Sequence, residues 1–317
     1  MITVRLATLQ DTAAITDIHK SDVAAWESIG ADGQLGSAAY ADLSLYERWQ
    51  HGGPWMSLET CAVHLNHLLN GIGTPLVAEL DGRVLAEIEL YESHEAAPFD
   101  HHLHIAVLYT HRDHTGNGLG SALIEYTRQM AELMNCRRIT VVNPDAPDFY
   151  TAHGFRLMRS GQRVKLPTQA GRAFYQASEL TDSNPEQIRG WAMPLGRSQS
   201  ARQEWDALFP QAWAAGIPEL LNMPMAQLKM TVAGQNTIVS LRESDQPDSV
   251  PGECTLRCWS MRPLSAPLVA ALRDRAYREG FQMISTHVMD ADWPLLAADA
   301  IATDERLDVY ELPLIGE

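Results

Sequence analysis

A chain of 317 residues, 45% hydrophobic and 20% charged, has a globular balance and the length of two ordinary domains, which excludes a disordered or fibrous class. The net charge of −16 argues against nucleic-acid binding, because phosphates select Lys and Arg, and no stretch approaches the ~20 apolar residues of a membrane helix. The N-terminal MITVRLATLQD lacks the basic-then-apolar pattern of a secretory signal. A cytoplasmic protein is therefore expected, with neither nucleic acid nor membrane as partner.

The opening VRLAT has strand composition, and Asp11 can cap a helix containing Ala13, Ile15, Ile18, Val23 and Trp26. A stretch rich in Gly, Ala and polar residues runs from Gly30 to Ser44. Ser57 can cap a second helix, with Leu58, Cys61, Ala62, Leu65, Leu68 and Leu69 as its apolar stripe. TPLVAEL and RVLAEIELYES flank Asp81-Gly82, a tight-turn signal, and predict a hairpin. The strand HIAVLYT follows. Gly116 to Gly120 then opens a helix whose apolar residues, from Leu119 to Met134, recur at helical spacing.

RRITVVN reads as a strand, Ala146 to His153 as a short helix stopped by Gly154, and FRLM and QRVKLP as two short strands. Polar residues, Gly171 and Asn184-Pro185 mark a linker over 167–185, with room for a strand inside it. Much of the element order then repeats. Ser198 to Phe209 is predicted helical with Ser198 as cap, AQLKMTVAG and TIVSLRES pair around Gly234, and ECTLRCWSM is a strand. Ser265 to Glu279 is a helix ended by Gly280, QMISTHVM a strand, Trp293 to Ile301 helical and VYELPL a last strand. Cys254 and Cys258 share a strand face. No second Cys or His pair stands at zinc spacing, and buried free thiols are expected.

Several residue groups carry chemistry. The segment His114 to Ser121 joins a strand to a helix. Its glycines let a ligand approach the main chain, and the N–H groups of a helix start attract anions. It lacks the Lys-Ser/Thr of a P-loop. Glu87 and Glu89 alternate onto one strand face, opposite Val84, Ala86, Ile88 and Leu90, and are candidates for a base or for contact with a cationic substrate. Histidines cluster at 94, 101, 102, 104, 111 and 114. Of these, His102 and His104 share a strand face, but spacing forces no third ligand, and no metal is expected. The aromatics Trp49 and Trp55 stand near His51 and Gly52-Gly53.

Thr115-Gly116-Asn117-Gly118-Leu119-Gly120, together with Asn143, Ala146, Phe149, Tyr150, Gly154 and Phe155, makes residues 1–166 resemble the GNAT acetyltransferases. Their motif A, Gln/Arg-x-x-Gly-x-Gly/Ala, falls on Thr115–Gly120. Their Asn-x-x-Ala-x-x-aromatic-Tyr-x-x-x-Gly-Phe falls on Asn143–Phe155 without a gap. This chain departs from the family at Thr115, where a long polar side chain near the phosphates is lost.

The resemblance implies an α/β fold of two GNAT-like domains, each a mixed, mostly antiparallel sheet flanked by helices. The domains would be 1–166, an acetyltransferase, and 186–317, a GNAT-like copy without cofactor, because Pro263 and Pro267 stand where a phosphate loop needs donors. It implies acetyl-CoA as cosubstrate and an amine as acceptor. The main chain of Leu108, Tyr109 and Thr110 would run beside the pantetheine, and the N–H groups of Thr115, Gly116, Asn117, Gly118, Leu119, Gly120 and Ser121 would hold the pyrophosphate. Asn143 would lie near the thiol end. Tyr150, protonated at neutral pH with an ordinary pKa of roughly 10, would give its proton to the leaving thiolate. The segment 46–55 lies where the family shapes its acceptor pocket. The alternative is a non-catalytic acyl-CoA sensor or interaction protein.

Overall fold

The computed structural model describes residues 1–29, 35–171, 173–209, 217, 219, 225–244, 246 and 248–314. Part of the Gly-rich stretch expected over 30–44 thus lies outside the described residues. Two compact units interleave along the chain. One is built around Met1–Tyr91 and Ile105–Met134, the other from Glu92–His104, Asn135–Phe209 and Met223–Glu317.

The first unit begins with β1 (Ile2–Leu6), α1 (Thr12–Ser21), the small hairpin β2 (Glu27–Ile29) and β3 (Leu35–Ser37), α2 (Leu45–Gln50) and α3 (Leu58–His67). β4 (Thr74–Leu80) pairs antiparallel with β1 on one side and with β5 (Arg83–His94) on the other. The Asp81-Gly82 turn takes left-handed φ at both positions, as a two-residue hairpin requires. β6 (His101–Thr110) and α4 (Leu119–Leu133) follow. The first unit holds residues 83–91 of β5 and 105–110 of β6. Its core joins Ala7, Ile15, Cys61, Leu65 and Val77, where the buried stripes of α1 and α3 meet the strands.

The expected helices are present with different ends. α1 stops at Ser21, leaving Val23 and Trp26 outside it. The Asp11 side chain does not cap it. Instead Asp11 accepts from both terminal nitrogens of Arg5 at 2.8 Å and from the Thr8 N–H at 2.7 Å, closing a 3-10 turn. Ser57 does cap α3, accepting from the Thr60 N–H.

The second unit takes the remaining residues of β5 and β6. To these it adds β7 (Arg138–Val142), α5 (Pro147–Ala152), β8 (Arg156–Pro167), β9 (Tyr175–Glu179), β10 (Ala192–Leu195) and α6 (Ala201–Asp206). It continues with β11 (Met225–Val232), β12 (Gln235–Glu243), β13 (Glu253–Ser260), α7 (Ala266–Arg278), β14 (Met283–Met289) and β15 (Ile301–Pro313). From β7 the strands lie in the order β7-β15-β8-β14-β10-β13-β12-β11-β9. Their pairings are antiparallel except β13 with β14, which is parallel. The fold is therefore α/β with mixed, mostly antiparallel pairing flanked by helices.

Three readings of this unit need correction. FRLM and QRVKLP form one strand, β8, because Ser160-Gly161 continues the ladder rather than breaking it. Gly161 is there for closeness: a Cβ on it would stand 2.5 Å from the Val288 carbonyl oxygen. The cap of α6 is Ser200, accepting from Gln203, whereas the Ser198 backbone and hydroxyl both donate to Glu204. The segment expected to be helical near Trp293 is only a 3-10 turn, after which β15 starts at Ile301. The four cysteines are buried and free. No helix of the described residues is long and apolar enough to cross a membrane.

Candidate active site

In the first unit, β5 carries Glu87 and Glu89 two residues apart, so both side chains leave one face of the strand. They are 1% and 3% exposed, a burial that ionisable groups tolerate only with partners. Those partners are histidines. Glu87 is hydrogen-bonded to Nε2 of His19. Both oxygens of Glu89 lie 3.1 Å from Nε2 of His64, and its Oε1 accepts from the Trp55 indole N–H at 2.7 Å.

Helix periodicity supplies both histidines. The buried positions of α1 are 12, 15, 16, 18 and 19, and those of α3 are 60, 61, 64 and 65. His19 and His64 therefore sit on the inward stripes among Ile15, Ile18, Cys61 and Leu65. The aromatic groups interlock: His19 stacks on Trp55 at 4.9 Å and 12°, lies 4.4 Å from the Tyr109 ring, and Trp55 meets His64 edge-on at 5.1 Å.

Equivalent neighbours on one strand face titrate in opposite directions. Burial pushes the Glu87 carboxyl above its ordinary range, and the charge and hydrogen bond of His19 only partly offset this. Burial works against ionised Glu89 too, but the His64 charge and the donors on His64 and Trp55 outweigh it and hold Glu89 below that range. Two carboxylates driven apart in this way are the usual signature of divided acid–base roles.

A cavity of about 530 Å³ opens over this group, with His19, Trp55 and Tyr109 in its wall beside Asp22, Glu27 and His51. Glu87 lies behind His19, with its carboxylate on the ring nitrogen and out of solvent.

The Gly-rich segment belongs to the same unit. Gly116 and Gly118 take φ of 78° and 82°, and nothing stands within 4 Å of where a Cβ on Gly116 would be. α4 begins at Leu119, and the N–H groups of a first helical turn have no acceptor inside the helix. The approach to this segment is tied to α1: the Arg112 N–H donates to the Ser21 hydroxyl at 2.9 Å, and His111 stands 3.7 Å from Asp17. Thr115 turns its hydroxyl back onto the Arg112 carbonyl at 3.0 Å. Leu108, Tyr109 and Thr110 are half-buried on β6. The structure thus brings Tyr109 together with Glu87 and Glu89 through His19 and Trp55.

Asn143 and Tyr150 belong to the second unit. Asn143, at φ 41°, engages β15 with its whole amide: Nδ2 donates to the Arg306 carbonyl at 3.1 Å, and Oδ1 accepts from the Asp308 N–H at 2.6 Å. Tyr150 is buried on α5, edge-on to Phe149 and Phe155. Burial, with Asp145 adding to it, pushes its phenol above the ordinary tyrosine range. In the same unit His102 and His104 do share a face, but His104 bonds Thr140 at 2.9 Å and Gln199 at 2.7 Å, and burial drives its pKa down to about 3. At the start of α7, Ser265 accepts from the Leu268 N–H at 3.4 Å, and a proline stands in the first turn.

Residues 38–155 match the acetyltransferase (GNAT) family, so this segment of the chain is similar to that family. Solved structures extend the likeness to nearly the whole chain. A GCN5-related N-acetyltransferase from Anabaena variabilis aligns with 98% of this chain and 72% of its own, at 13% identity and a TM-score of 0.60. One from Kribbella flavida aligns with 98% and 70%, at 10% identity and 0.57. A probable N-acyltransferase from Enterococcus faecalis aligns with 99% and 73%, at 10% identity and 0.56. At such identities the likeness is one of fold. No curated protein sequence matches this chain.

His19 and His64 escaped the sequence reading because a histidine on an apolar helical stripe reads as core. The available signal was a pair: two inward-facing histidines on two helices, and one strand with two glutamates at alternate positions.

Proposed function

We propose that this chain transfers an acetyl group from acetyl-CoA to an amine, with the His19–Glu87 pair as base. The observation that carries the reading is that pair, buried at the wall of a cavity beside Tyr109. The residues around Gly116 and Gly118 suit the cosubstrate, because left-handed glycines leave room against the main chain at a helix start. Leu108, Tyr109 and Thr110 would lie along its arm, Thr115 to Ser121 would hold its phosphates, and Asn143 would lie near its thiol end. When bound, it supplies an acetyl thioester that an amine can attack.

An amine reaches the cavity as an ammonium ion and must lose a proton before attack. His19 accepts that proton on the ring nitrogen not bonded to Glu87, and Glu87 stabilises the resulting imidazolium, as a carboxylate does behind a catalytic histidine. Burial holds the Glu87 pKa above its ordinary range, so the pair takes up a proton more readily than an exposed glutamate would. Glu89 stays ionised and holds His64 and Trp55, fixing the aromatic wall. Asp22 and Glu27 face the cavity and favour a cationic acceptor. Tyr150, kept protonated by burial, would be the proton donor to the departing thiolate. Function divides along the chain as an acetyltransferase segment at 1–166, a linker at 167–185, and a cofactor-free GNAT-like segment at 186–317 in which Pro263 and Pro267 replace a phosphate loop.

The test is acetyl-CoA consumption over a panel of amines by the wild type, His19→Gln and Tyr150→Phe, alongside calorimetric titration with acetyl-CoA. Turnover by the wild type that falls in both variants while binding persists supports the reading. A second reading, an acyl-CoA sensor, is favoured by Thr115, whose hydroxyl is turned onto Arg112. Binding without turnover for every amine would select it.

A further inference from the structure

Close to the end of β5, Glu92 and His94 stand two residues apart on one strand face, while Ser93 between them is buried on the other. His101 opens β6 alongside them. A single oxygen, Oε1 of Glu92, lies 3.2 Å from Nε2 of His94 and 2.8 Å from Nε2 of His101. The two imidazoles stack at 4.0 Å, only 11° from parallel. On the inner side the Cys136 sulfur is 3.6 Å from the same His101 nitrogen, and the Arg137 N–H donates to the His101 carbonyl at 2.8 Å, holding that segment in place. These four residues belong to the second unit.

We propose that Glu92, His94 and His101 form a zinc-binding site, and that Cys136, whose sulfur stands 3.6 Å from the His101 nitrogen but outside the mutual 4.8 Å grouping of the other three ligand atoms, turns in as fourth ligand. The sequence drew attention to His102 and His104, yet those two are hydrogen-bonded among Asp100, Thr140 and Gln199, and it is the next histidines outward that converge. The ligating atoms of Glu92, His94 and His101 all lie within 4.8 Å of one another. A tetrahedral ion with bonds of about 2.0–2.1 Å to nitrogen and oxygen separates its ligand atoms by roughly 3.3 Å. The observed 3.2 and 2.8 Å separations of the two imidazole nitrogens from the Glu92 oxygen are near that edge.

Two imidazoles, one carboxylate and one thiol make a borderline-soft set that suits zinc over calcium or magnesium, which take oxygen. Access is present on the outer side, where the side chains of Glu92, His94 and His101 are 46%, 25% and 22% exposed. Cys136 is buried and supplies the inner ligand. The nearby cation Arg189 is paired with Glu186 at 3.5 Å. Coordination would clip the end of β5, the start of β6 and the segment before β7 together. It takes no part in the proposed acetyl transfer, so its failure and the failure of that reading are separate results.

The experiment uses the full chain, stripped with a chelator and titrated with zinc chloride by calorimetry and with cobalt chloride by absorption. The expected result is one ion per chain, visible bands of four-coordinate intensity, and a near-ultraviolet thiolate-to-cobalt band that disappears in Cys136→Ser. His94→Ala and His101→Ala should each weaken binding by more than ~100-fold, beyond what loss of an outer partner costs. Glu92→Gln, at the most exposed of these positions, weakens binding without a burden on folding, and His111→Ala leaves it unchanged. Circular dichroism checks that each variant is folded. No binding by the wild type, or one-to-one binding that survives in folded His94→Ala, His101→Ala and Glu92→Gln, would overturn the site. Binding without the thiolate band would remove Cys136 from it.

Discussion

Three glutamates close together in sequence are buried to nearly the same degree, yet they have different partners. Glu87 and Glu89 in the first unit pair with His19 and His64, and His19 is in the wall of a cavity. Glu95 in the second unit pairs with Arg197, whose Nη1 is 3.3 Å from Oε1, and also accepts from the Ala201 N–H at 3.0 Å and the Ser93 hydroxyl at 3.2 Å. The guanidinium itself lies over the Phe99 ring at 3.9 Å. Arginine does not titrate, and Glu95 is held ionised: burial alone would raise its pKa, but the charges on Arg197 and His102 outweigh it. Burial by itself therefore says little about chemistry. A partner that can take and release a proton, next to a space that can hold a substrate, separates a working carboxylate from a structural one.

The sharpest way to test that contrast is Glu87→Gln. Loss of a general base costs about 10²- to 10⁴-fold in kcat, and the rise of kcat/KM with pH should flatten in the variant. Stability should move the other way. A carboxyl whose folded pKa is raised favours the folded state below its ordinary value and loses that advantage as pH rises through the folded value. At pH 8 Glu87→Gln should therefore be as stable as the wild type or more so, by urea denaturation. Equal activity in the two proteins would take Glu87 out of the base role.

Arg197→Met is the matching change in the other region. It strands a buried carboxylate, and breaking a buried pair from one side costs about 3–5 kcal/mol. A large fall in the denaturation midpoint is expected, with KM for the amine unchanged in the fraction that remains folded. A variant as stable as the wild type would show that Glu95 takes up a proton or finds another donor, and the contrast with Glu87 would weaken.

Regular periodicity was legible and its ends only in part. The Asp81-Gly82 hairpin, the cap at Ser57 and the stripe of α4 follow from local chemistry that the sequence displays directly. The cap at Ser200 rather than Ser198 depends on a side-chain competition, because Glu204 occupies Ser198, and the continuity of β8 through Gly161 depends on a partner far along the chain, the Val288 carbonyl that crowds Gly161. The candidate site was half legible for the same reason. Alternation put Glu87 and Glu89 on one face, but their histidine partners lie 68 and 25 residues away, and only packing brings them together.

Within the first unit, Glu89 offers a finer test than Glu87. Its folded pKa is lowered, so it contributes stability above the ordinary glutamate value of ~4.3 and loses it as pH falls through the folded value. Glu89→Gln should lower stability at pH 7 by about 1–3 kcal/mol, the cost of a charge-assisted hydrogen bond, and the gap to the wild type should close in acid. Denaturation at pH 7 and at pH 3 reads both. A gap that is the same at the two pH values would mean that Glu89 carries no ionised partner interaction with His64.

The smallest effect belongs to Thr115. Its hydroxyl staples the turn before α4 to the Arg112 carbonyl, and the main-chain donors of the segment do not depend on the side chain. If those donors hold the pyrophosphate, Thr115→Gln restores a long polar group at a solvent-exposed position and adds one hydrogen bond, worth about 0.5–1.5 kcal/mol. Calorimetry should then show acetyl-CoA binding tightened several-fold, with kcat unchanged. Tighter binding would mark Thr115 as a tuning position on an intact cradle. Weaker binding would mean that the staple itself shapes the segment, and that this chain replaced a side-chain contact with a stiffer main chain.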